Sequence, residues 1–531
     1  MSKTLYSVYR YIILGLFLII NIWLFLLSIF STSRLTADAS EHTYYTGDHA
    51  WLHIIILVVL IAAVFYLVRN NIFTRINSYL SNNEKTFIRI RNICLIIIGI
   101  SGAAWVLLTQ SNAGADQYYV LDAARGLRNG DYSAFRYNGY ISKYTNQIGL
   151  LFIEYIIGFI VGDYNYLFWQ LLNVVMIVFH LQDVFLTYLG FLKLPRIASL
   201  STIILGILFF PWTLYSVFIY GNVAGLFFAT SAFKYTMLFI DSLKEFNSFK
   251  ISYIVISAVS MMLSVMVKNN YLIFMIALII YTVAETLRHR NIQIILVTCA
   301  VIAGFAIQAI VPKLVIEKIS GCNLGSGASS WTWIAMGLHP SDGNVYADGW
   351  YSGRIAAFYE NNDYDTKKEA EVSKAEIKGY IDTYKNDHKA FTSFLSKKVA
   401  SQWNNPEFQC FWITNVRSSD IEKSPVISDI LSLKGSSTFI AFLNMMQSII
   451  LFGSMLYAVN TLIEGTFAGA AVLPLTFIGG FIFHLFWEGK CQYTLPYFML
   501  LLPLSIIGFY SMAKKLSSVS KKYLYNVVYL L

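Results

Sequence analysis

The sequence predicts an all-α polytopic membrane protein, and three observations carry that prediction. Of 531 residues, 56% are apolar and only 13% are charged, where soluble domains carry roughly 25% charged residues. Apolar runs close to the ~20 residues that cross a bilayer recur along the chain. Basic residues cluster between alternate runs, as cytoplasmic loops require. A mean hydropathy of +0.57 agrees. This composition excludes a soluble globular enzyme, a disordered chain and a nucleic-acid-binding module. Nine prolines and 32 glycines exclude low-complexity sequence. The net charge of +9 belongs to cytoplasmic loops rather than to a nucleic-acid surface. The cysteines Cys94, Cys299, Cys322, Cys410 and Cys491 show no CxxC pair and no metal-ligand spacing.

The first run, Tyr11–Phe30, follows Lys3 and Arg10 and precedes Ala37-Asp38-Ala39, which resembles a cleavage site. Its length is about twice that of a signal-peptide core, so it is an uncleaved spanning helix. Further apolar segments cover 51–68, 92–110, 147–162, 166–190, 198–216, 219–240, 251–267, 271–286, 292–311, 437–459, 465–487 and 494–512. Charge orients them. Loop 69–91, with Arg69, Arg75, Lys85, Arg89 and Arg91 against Glu84, is cytoplasmic. Loop 31–50, with Asp38, Glu41 and Asp48 against Arg34, is external. Counting back from Lys514, Lys515, Lys521 and Lys522 puts the C-terminus, Arg288-His289-Arg290, Lys244–Lys250, Lys193 and Arg196 inside. The forward and backward counts differ by one crossing at 147–162, the shortest segment, with Glu154 at its middle. That segment is expected not to span. About twelve spanning helices remain, with both termini cytoplasmic and 111–165 external.

Four regions follow. Residues 1–91 form an N-terminal two-helix membrane addition. Residues 92–311 form the transmembrane core with its first external loop, 111–165. Residues 312–436 form one large external loop with an interfacial helix. Residues 437–531 hold the last spanning helices and a basic cytoplasmic tail.

The external parts hold the chemistry-bearing residues. Asp116 opens an amphipathic helix directly after a spanning one, with Tyr119, Ala123 and Leu127 on one face and Asn129-Gly130-Asp131 as its stop. Asp116 reads equally as a functional carboxylate at the water interface and as a helix N-cap. Lys143 reads as a snorkelling interfacial lysine or as a phosphate partner. In the large loop, Trp331-Thr332-Trp333, the run to His339-Pro340 and Gly349-Trp350-Tyr351 mix rings and glycines as a sugar-stacking loop does. Residues 366–403 read as helix. Ala390, Phe391, Phe394, Leu395, Val399 and Trp403 fall on one face, and Lys389, Lys397 and Lys398 lie opposite or flanking, which is the pattern of a helix lying on the interface. Two further turns stand out. One leads to Tyr220-Gly221-Asn222. The other runs from His484 through Glu488, Lys490 and Gln492 to Tyr493. Glu488 and Lys490 read either as cavity residues or as a mutual surface ion pair.

Together these residues resemble the GT-C superfamily of membrane glycosyltransferases, which includes protein O-mannosyltransferases and lipid A aminoarabinose transferases. The likeness is greatest to bacterial members that decorate cell-envelope polymers, and it covers about residues 92–512. The family opens its first external loop with an acidic pair; here that position reads Asp116-Gln117. It places a lysine before the next juxtamembrane helix, where Lys143 stands. It carries a further acid after the following external turn, where this chain has Asn222. The run WEGKCQYTLPY, Trp487–Tyr497, is similar to a C-terminal motif of Gram-positive members.

The resemblance implies a hexosyl or related transferase that inverts and uses a sugar on a polyprenyl phosphate, such as undecaprenyl phosphate. The acceptor would be a cell-wall polysaccharide or teichoic acid on the outer face of the bacterial cytoplasmic membrane. Asp116 would be the general base, and Lys143, helped by Arg125 or Arg128, would hold the donor phosphate. Gln117, Tyr118, Asp122, Tyr144, Gln147, Tyr220, Asn222, Trp331, Trp333, His339, His484, Glu488, Lys490, Gln492 and Tyr493 would line the substrate cavity. No metal ligand and no cofactor are expected, with a weak divalent-metal dependence left open. The competing readings are a lipid-linked-sugar flippase or other transporter, and an envelope polysaccharide polymerase or ligase. The nearly charge-free mid-helix segments argue against the first, and the lack of arginine-rich external loops against the second.

Overall fold

The computed structural model describes residues 3–36, 41–192, 194–245, 248–341, 347–418, 422–465 and 471–530. Ala37-Asp38-Ala39 and Lys193 lie outside the described residues. The protein is an all-α polytopic membrane protein in its architecture, because a chain this apolar can satisfy its backbone in a bilayer only within helices or a closed barrel.

The elements run in chain order as α1 (Lys3–Phe30), β1 (Ser31–Leu35), β2 (Thr43–Gly47), α2 (Ala50–Arg69), α3 (Glu84–Thr109), α4 (Asp116–Asn129), α5 (Ile148–Val161), α6 (Tyr166–Phe191), α7 (Arg196–Leu208), α8 (Asn222–Glu245), α9 (Ile251–Val267), α10 (Leu272–His289) and α11 (Ile295–Ser320). After them come α12 (Ser330–Leu338), α13 (Thr366–Asn386), α14 (His388–Trp403), α15 (Cys410–Arg417), α16 (Leu433–Glu464), α17 (Val472–Phe486), α18 (Cys491–Met499) and α19 (Leu501–Leu530), with the helix Ile72–Asn82 and several of one or two turns between.

Among the described residues every apolar segment expected from the sequence is mainly helical; residues 466–470 of the segment 465–487 lie outside them. Among the described residues eight helices are long and apolar enough to cross a membrane, and up to 11 if each of three bent pairs counts as one span. Two of the bent pairs, Arg196–Leu208 with Pro211–Val217 and Cys491–Met499 with Leu501–Leu516, coincide with single expected spans. Both breaks sit at prolines, Pro211 and Pro503, which lack the N–H that would continue the helix. Two more expected spans, α9 and α17, are shorter apolar helices. The 8 to 11 candidate spans among the described residues bear out a polytopic membrane protein but not the count of about twelve, which is reached only by adding these two short helices.

Residues placed on one side by charge meet one another at one end of the bundle. Arg196 donates to Leu80 O at 2.7 Å, and Glu285 gathers Lys244, Arg288 and His289. Arg288 stands over the Tyr6 ring, and Lys515 reaches Asn460 and Glu464. The opposite end carries the hairpin, α4, α5 and α12–α15.

At that opposite end α5 packs along α4. The Arg128 guanidinium donates to Glu154 O and Tyr155 O at 3.0 and 3.1 Å and pairs with Asp163 beyond the end of α5. The 14 residues of α5 extend only about 21 Å, short of the ~30 Å hydrocarbon core. Thus α5 shares the depth of a helix that carries Asp116, Asp122, Arg125 and Arg128.

Two expectations need correction, and the loop 31–50 gains a structure of its own. In it β1 and β2 pair antiparallel with Ser31 opposite Gly47 and Leu35 opposite Thr43. Its threonines and tyrosines suit extended backbone, and Ser33 N bonds Asn404 O across the open edge at 3.0 Å. The stretch 366–403 is two helices, because Asp387 leaves the helix and caps the second through Lys389 N and Ala390 N. Finally, α14 does not lie flat on the interface. Its last six residues, Lys398–Trp403, are all buried against α1, α17 and α18. Lys398 is tolerated there because its ammonium donates to three carbonyls, Gly337 O, Leu485 O and Trp487 O, so no donor is wasted.

Candidate functional site

The site is built around Asp116. Helix α3 ends in a left-handed Gln110, and the chain then runs extended, held by Asn112 N to Arg417 O at 2.8 Å and by Gln170 Nε2 to Ser111 O at 2.7 Å. Ala115 takes φ 48, ψ −131, a region costing about 1–3 kcal/mol for a residue with a side chain. Asp116 is therefore the first helical residue, and the N-cap is Ala115. The capping alternative fails: no side chain caps α4. Asp116 Oδ1 instead accepts from Tyr140 OH at 2.8 Å, and Oδ2 from Tyr220 OH at 3.3 Å. Burial, with the nearby carboxylate, holds both phenols far above their ordinary pKa, so they remain donors. Gln147 Nε2 donates to Tyr220 OH in turn, and Gln117 Oε1 accepts from Ile219 N at 3.2 Å, fixing the Tyr220 turn.

Two cavities meet at this carboxylate. The first, about 420 Å³, is lined by Asp116, Lys143, Tyr144, Gln147, Tyr220, Lys268, Trp333, Tyr351, His484, Trp487, Glu488 and Tyr493 among others. Leu272 and Ile273 of α10 and Phe483 of α17 also line it, and the same two helices expose Ile276, Ile482 and Phe486 outward. The second cavity, about 700 Å³, is lined by Glu41, Gly114, Asp116, Gln117, Tyr119, Tyr140, Lys143, Trp412, Arg417, Lys490, Gln492 and Tyr493 among others. Asp116, Lys143, Tyr144, Tyr220, Tyr351 and Tyr493 belong to both walls.

The charges divide unequally. Lys143 is paired with Glu360. Lys268, directly after α9, has no ion pair among the described residues. Its ammonium stands 4.2 Å from the Tyr220 ring centre and 5.2 Å from that of Tyr493, with one long hydrogen bond to Tyr220 O at 3.4 Å. Burial brings Lys268 down to about 7, against the upward pull of Asp116 and Glu488. Glu488 is 5% exposed, and burial pushes its carboxyl up to about 7. Its Oε2 and His484 Nε2 are buried without a hydrogen-bond partner among the described residues, and His484 Nδ1 faces Glu488 O at 3.4 Å. Trp333 stacks on Trp487 at 6.2 Å.

Of the two readings of Glu488 and Lys490, the mutual surface pair does not form. Both residues are buried, and Lys490 pairs instead with Glu41 of the hairpin connection. Burial presses Lys490 down, but Glu41 outweighs it and the net shift is upward. Gln409, left-handed at φ 65, links Glu41 to Gln492 N. Asn222 donates to Gln492 O at 3.0 Å. Among the described residues no three His, Cys, Asp or Glu side chains converge as metal ligands would.

No family model, curated protein or solved structure matches the chain. The site is therefore read from its own geometry.

That geometry gathers Asp116, Gln117, Lys143, Tyr144, Gln147, Tyr220, Trp333, His484, Glu488, Lys490, Gln492 and Tyr493 on the two cavity walls. It leaves others outside. Arg128 is held by Asp163. Arg125 bonds Tyr164 and pairs with Asp122, and Tyr164 also donates to Asp122. Tyr118 stacks on Tyr164. Tyr118, Asp122 and Arg125 lie on the exposed face of α4, turned away from Asp116, whereas Arg128, three turns further along, is buried against α5. Trp331 is 42% exposed beneath Lys374, and His339 faces Tyr380. Asn222 is fully buried and supports the wall from behind.

Lys268, Tyr140 and Arg417 escaped the sequence reading, Glu41 was read only as a loop charge, and Tyr351 only as part of a ring-rich loop. Lys268 had a signal: a lysine ending a span on the side opposite the basic loops breaks the charge rule. Glu41 and Arg417 had none, since each reaches the site through tertiary structure.

Proposed function

We propose that this chain is a GT-C-type membrane glycosyltransferase that moves a sugar from a polyprenyl-phosphate donor to an envelope polymer, working at the outer face of a bacterial cytoplasmic membrane. The observation that carries the proposal is the place of Asp116 on the wall common to two cavities. A carboxylate between two compartments is what a transfer between two bound substrates needs.

The first cavity suits the donor. Its seam between α10 and α17 has an apolar outer face along which a polyprenyl tail can leave, and Lys268 supplies a cation whose protons are mostly unspent. Lys268 replaces Lys143 as the main phosphate partner, since Lys143 already has Glu360. The Trp333, Trp487 and Tyr493 rings offer faces for the sugar. The second cavity suits the acceptor. In the transfer, an acceptor hydroxyl gives its proton to Asp116 while its oxygen bonds to C1 of the sugar. The C1–O bond to phosphate breaks, and its electron pair stays on the phosphate oxygen, where Lys268 stabilises the added charge. Tyr140 and Tyr220 hold the carboxylate in one orientation throughout.

Both cavities lie at one end of the bundle, which favours transfer over passage through the membrane. The test is transfer of radiolabelled sugar from polyprenyl-phosphate sugars to wall polymer by purified protein in nanodiscs. Transfer by the wild type and its loss in Asp116→Asn support the proposal. Movement of the intact lipid-linked sugar across sealed vesicles without transfer would replace it with the flippase reading.

A further inference from the structure

A neutral acceptor would need only a base and rings to lie against, and the second cavity supplies these through Asp116, Tyr119 and Trp412. The cavity also carries three cations: Lys143, Lys490 and Arg417. Two are matched by carboxylates, Lys143 by Glu360 and Lys490 by Glu41. Arg417 is not. Among the described residues its guanidinium has no hydrogen-bond or ion-pair partner, and its Nε is buried without an acceptor. A half-buried guanidinium left this way is costly unless a ligand completes it.

The backbone around it is shaped to admit the side chain. Arg417 O holds Asn112 N, which brings the segment leading to Asp116 across the arginine. At Gly114 a Cβ would stand 1.9 Å from Nη1 and 2.7 Å from Cζ, so any other residue there would expel the guanidinium. Ala115 then takes its positive φ to deliver Asp116. The cation and the carboxylate are thus positioned by the same few residues.

The geometry points to Arg417 as the anion-binding residue of the acceptor subsite, so that the acceptor is an anionic polymer with a phosphodiester or carboxylate close to the hydroxyl that receives the sugar. This inference rests on the glycosyltransferase reading and names its substrate class. The guanidinium fork matches the paired oxygens of either group. Arg417 lines only the second cavity and Lys268 only the first, so the acceptor's charge and the donor's phosphate do not compete for one cation.

The test is binding, measured without donor on the full chain in phosphatidylcholine nanodiscs. Three labelled oligomers of equal length are titrated: a glycerol-phosphate oligomer, a uronic-acid oligosaccharide and a neutral glucan. One of the anionic oligomers is expected to bind about tenfold or more tighter than the glucan, and the better of the two identifies the acceptor's charge. Arg417→Gln should abolish that difference, Arg417→Lys should keep only the part owed to charge without the fork, and Lys268→Gln should leave it intact. Equal binding of charged and neutral oligomers overturns the inference. So does wild-type selectivity in Arg417→Gln, or displacement of the anionic oligomer by polyprenyl phosphate, which would give the site to the donor. Charge-selective binding that depends on Arg417, in a protein that transfers no sugar, upholds the anion site and removes the transferase reading instead.

Discussion

Replacing Asp116 by asparagine separates chemistry from architecture. The amide oxygen can keep the bond from Tyr140 OH, now 2.8 Å from Oδ1. The amide nitrogen then faces Tyr220 OH at the 3.3 Å of the present contact. That phenol already receives Gln147 Nε2, and its oxygen can accept a second donor. The phenol proton loses its acceptor, so the net cost is about one hydrogen bond, about 1 kcal/mol. Helix α4 is untouched, because the Asp116 side chain does not cap it. A total stability of about 5–15 kcal/mol absorbs such a loss. Turnover is another matter. An amide cannot take the acceptor's proton, and a positioned base contributes roughly 10²–10⁴-fold, or about 3–5 kcal/mol of barrier. The assay measures kcat and donor KM for sugar transfer in nanodiscs, with thermal unfolding followed on the same samples. Turnover should fall at least ~10²-fold with donor KM and melting temperature nearly unchanged. Wild-type turnover would refute the reasoning. Glu488, on the wall of the first cavity, would then be the next candidate rather than Asp122, which is turned toward Arg125 and Tyr164.

Lys268 makes donor binding depend on pH. Its ordinary value near 10.5 is brought down to about 7 by burial, so the phosphate-binding ammonium form prevails below pH 7 and is lost as pH rises through it. Donor KM should climb between pH 6 and 8.5, and Lys268→Met should raise it about tenfold at pH 6 and flatten the profile; an unchanged profile in the variant would assign the titration elsewhere. Lys398→Met strips three carbonyls of their donor and should cost roughly 2–4 kcal/mol, read as a lowered melting temperature; a variant as stable as the wild type would mean that those carbonyls find other partners. Single cysteines at Asn146 and Asn165, in a background lacking the native ones, should both react with an impermeant reagent from the same, outer side. Access to Asn165 only from the cytoplasm would make α5 a span.

The sequence by itself determined where the helices are. A run of some twenty apolar residues has one way to satisfy its backbone in lipid, and that property is local. Charge also sorted the loops into two groups correctly enough that Arg196 meets the 72–82 segment and Lys515 meets Glu464. The position of Asp116 at the mouth of α4 was legible too, because a carboxylate next to a span is conspicuous. Which side chains share the site with Asp116 was not. Spanning helices are apolar toward lipid and toward one another, so their periodicity does not say which faces pack, and the packing decides which loops meet. Glu41 and Lys490 stand 449 residues apart in the chain, and only the tertiary arrangement joins them. The same holds for Lys398, which reads as a surface lysine on an interfacial helix and is fully buried, because the carbonyl ends of α12 and α17 happen to converge on its ammonium. Arg125 and Arg128 lie off the cavity walls for a related reason: they stand nine and twelve positions after Asp116, about 13 and 18 Å along α4, where Tyr164, Asp163 and the α5 carbonyls hold them.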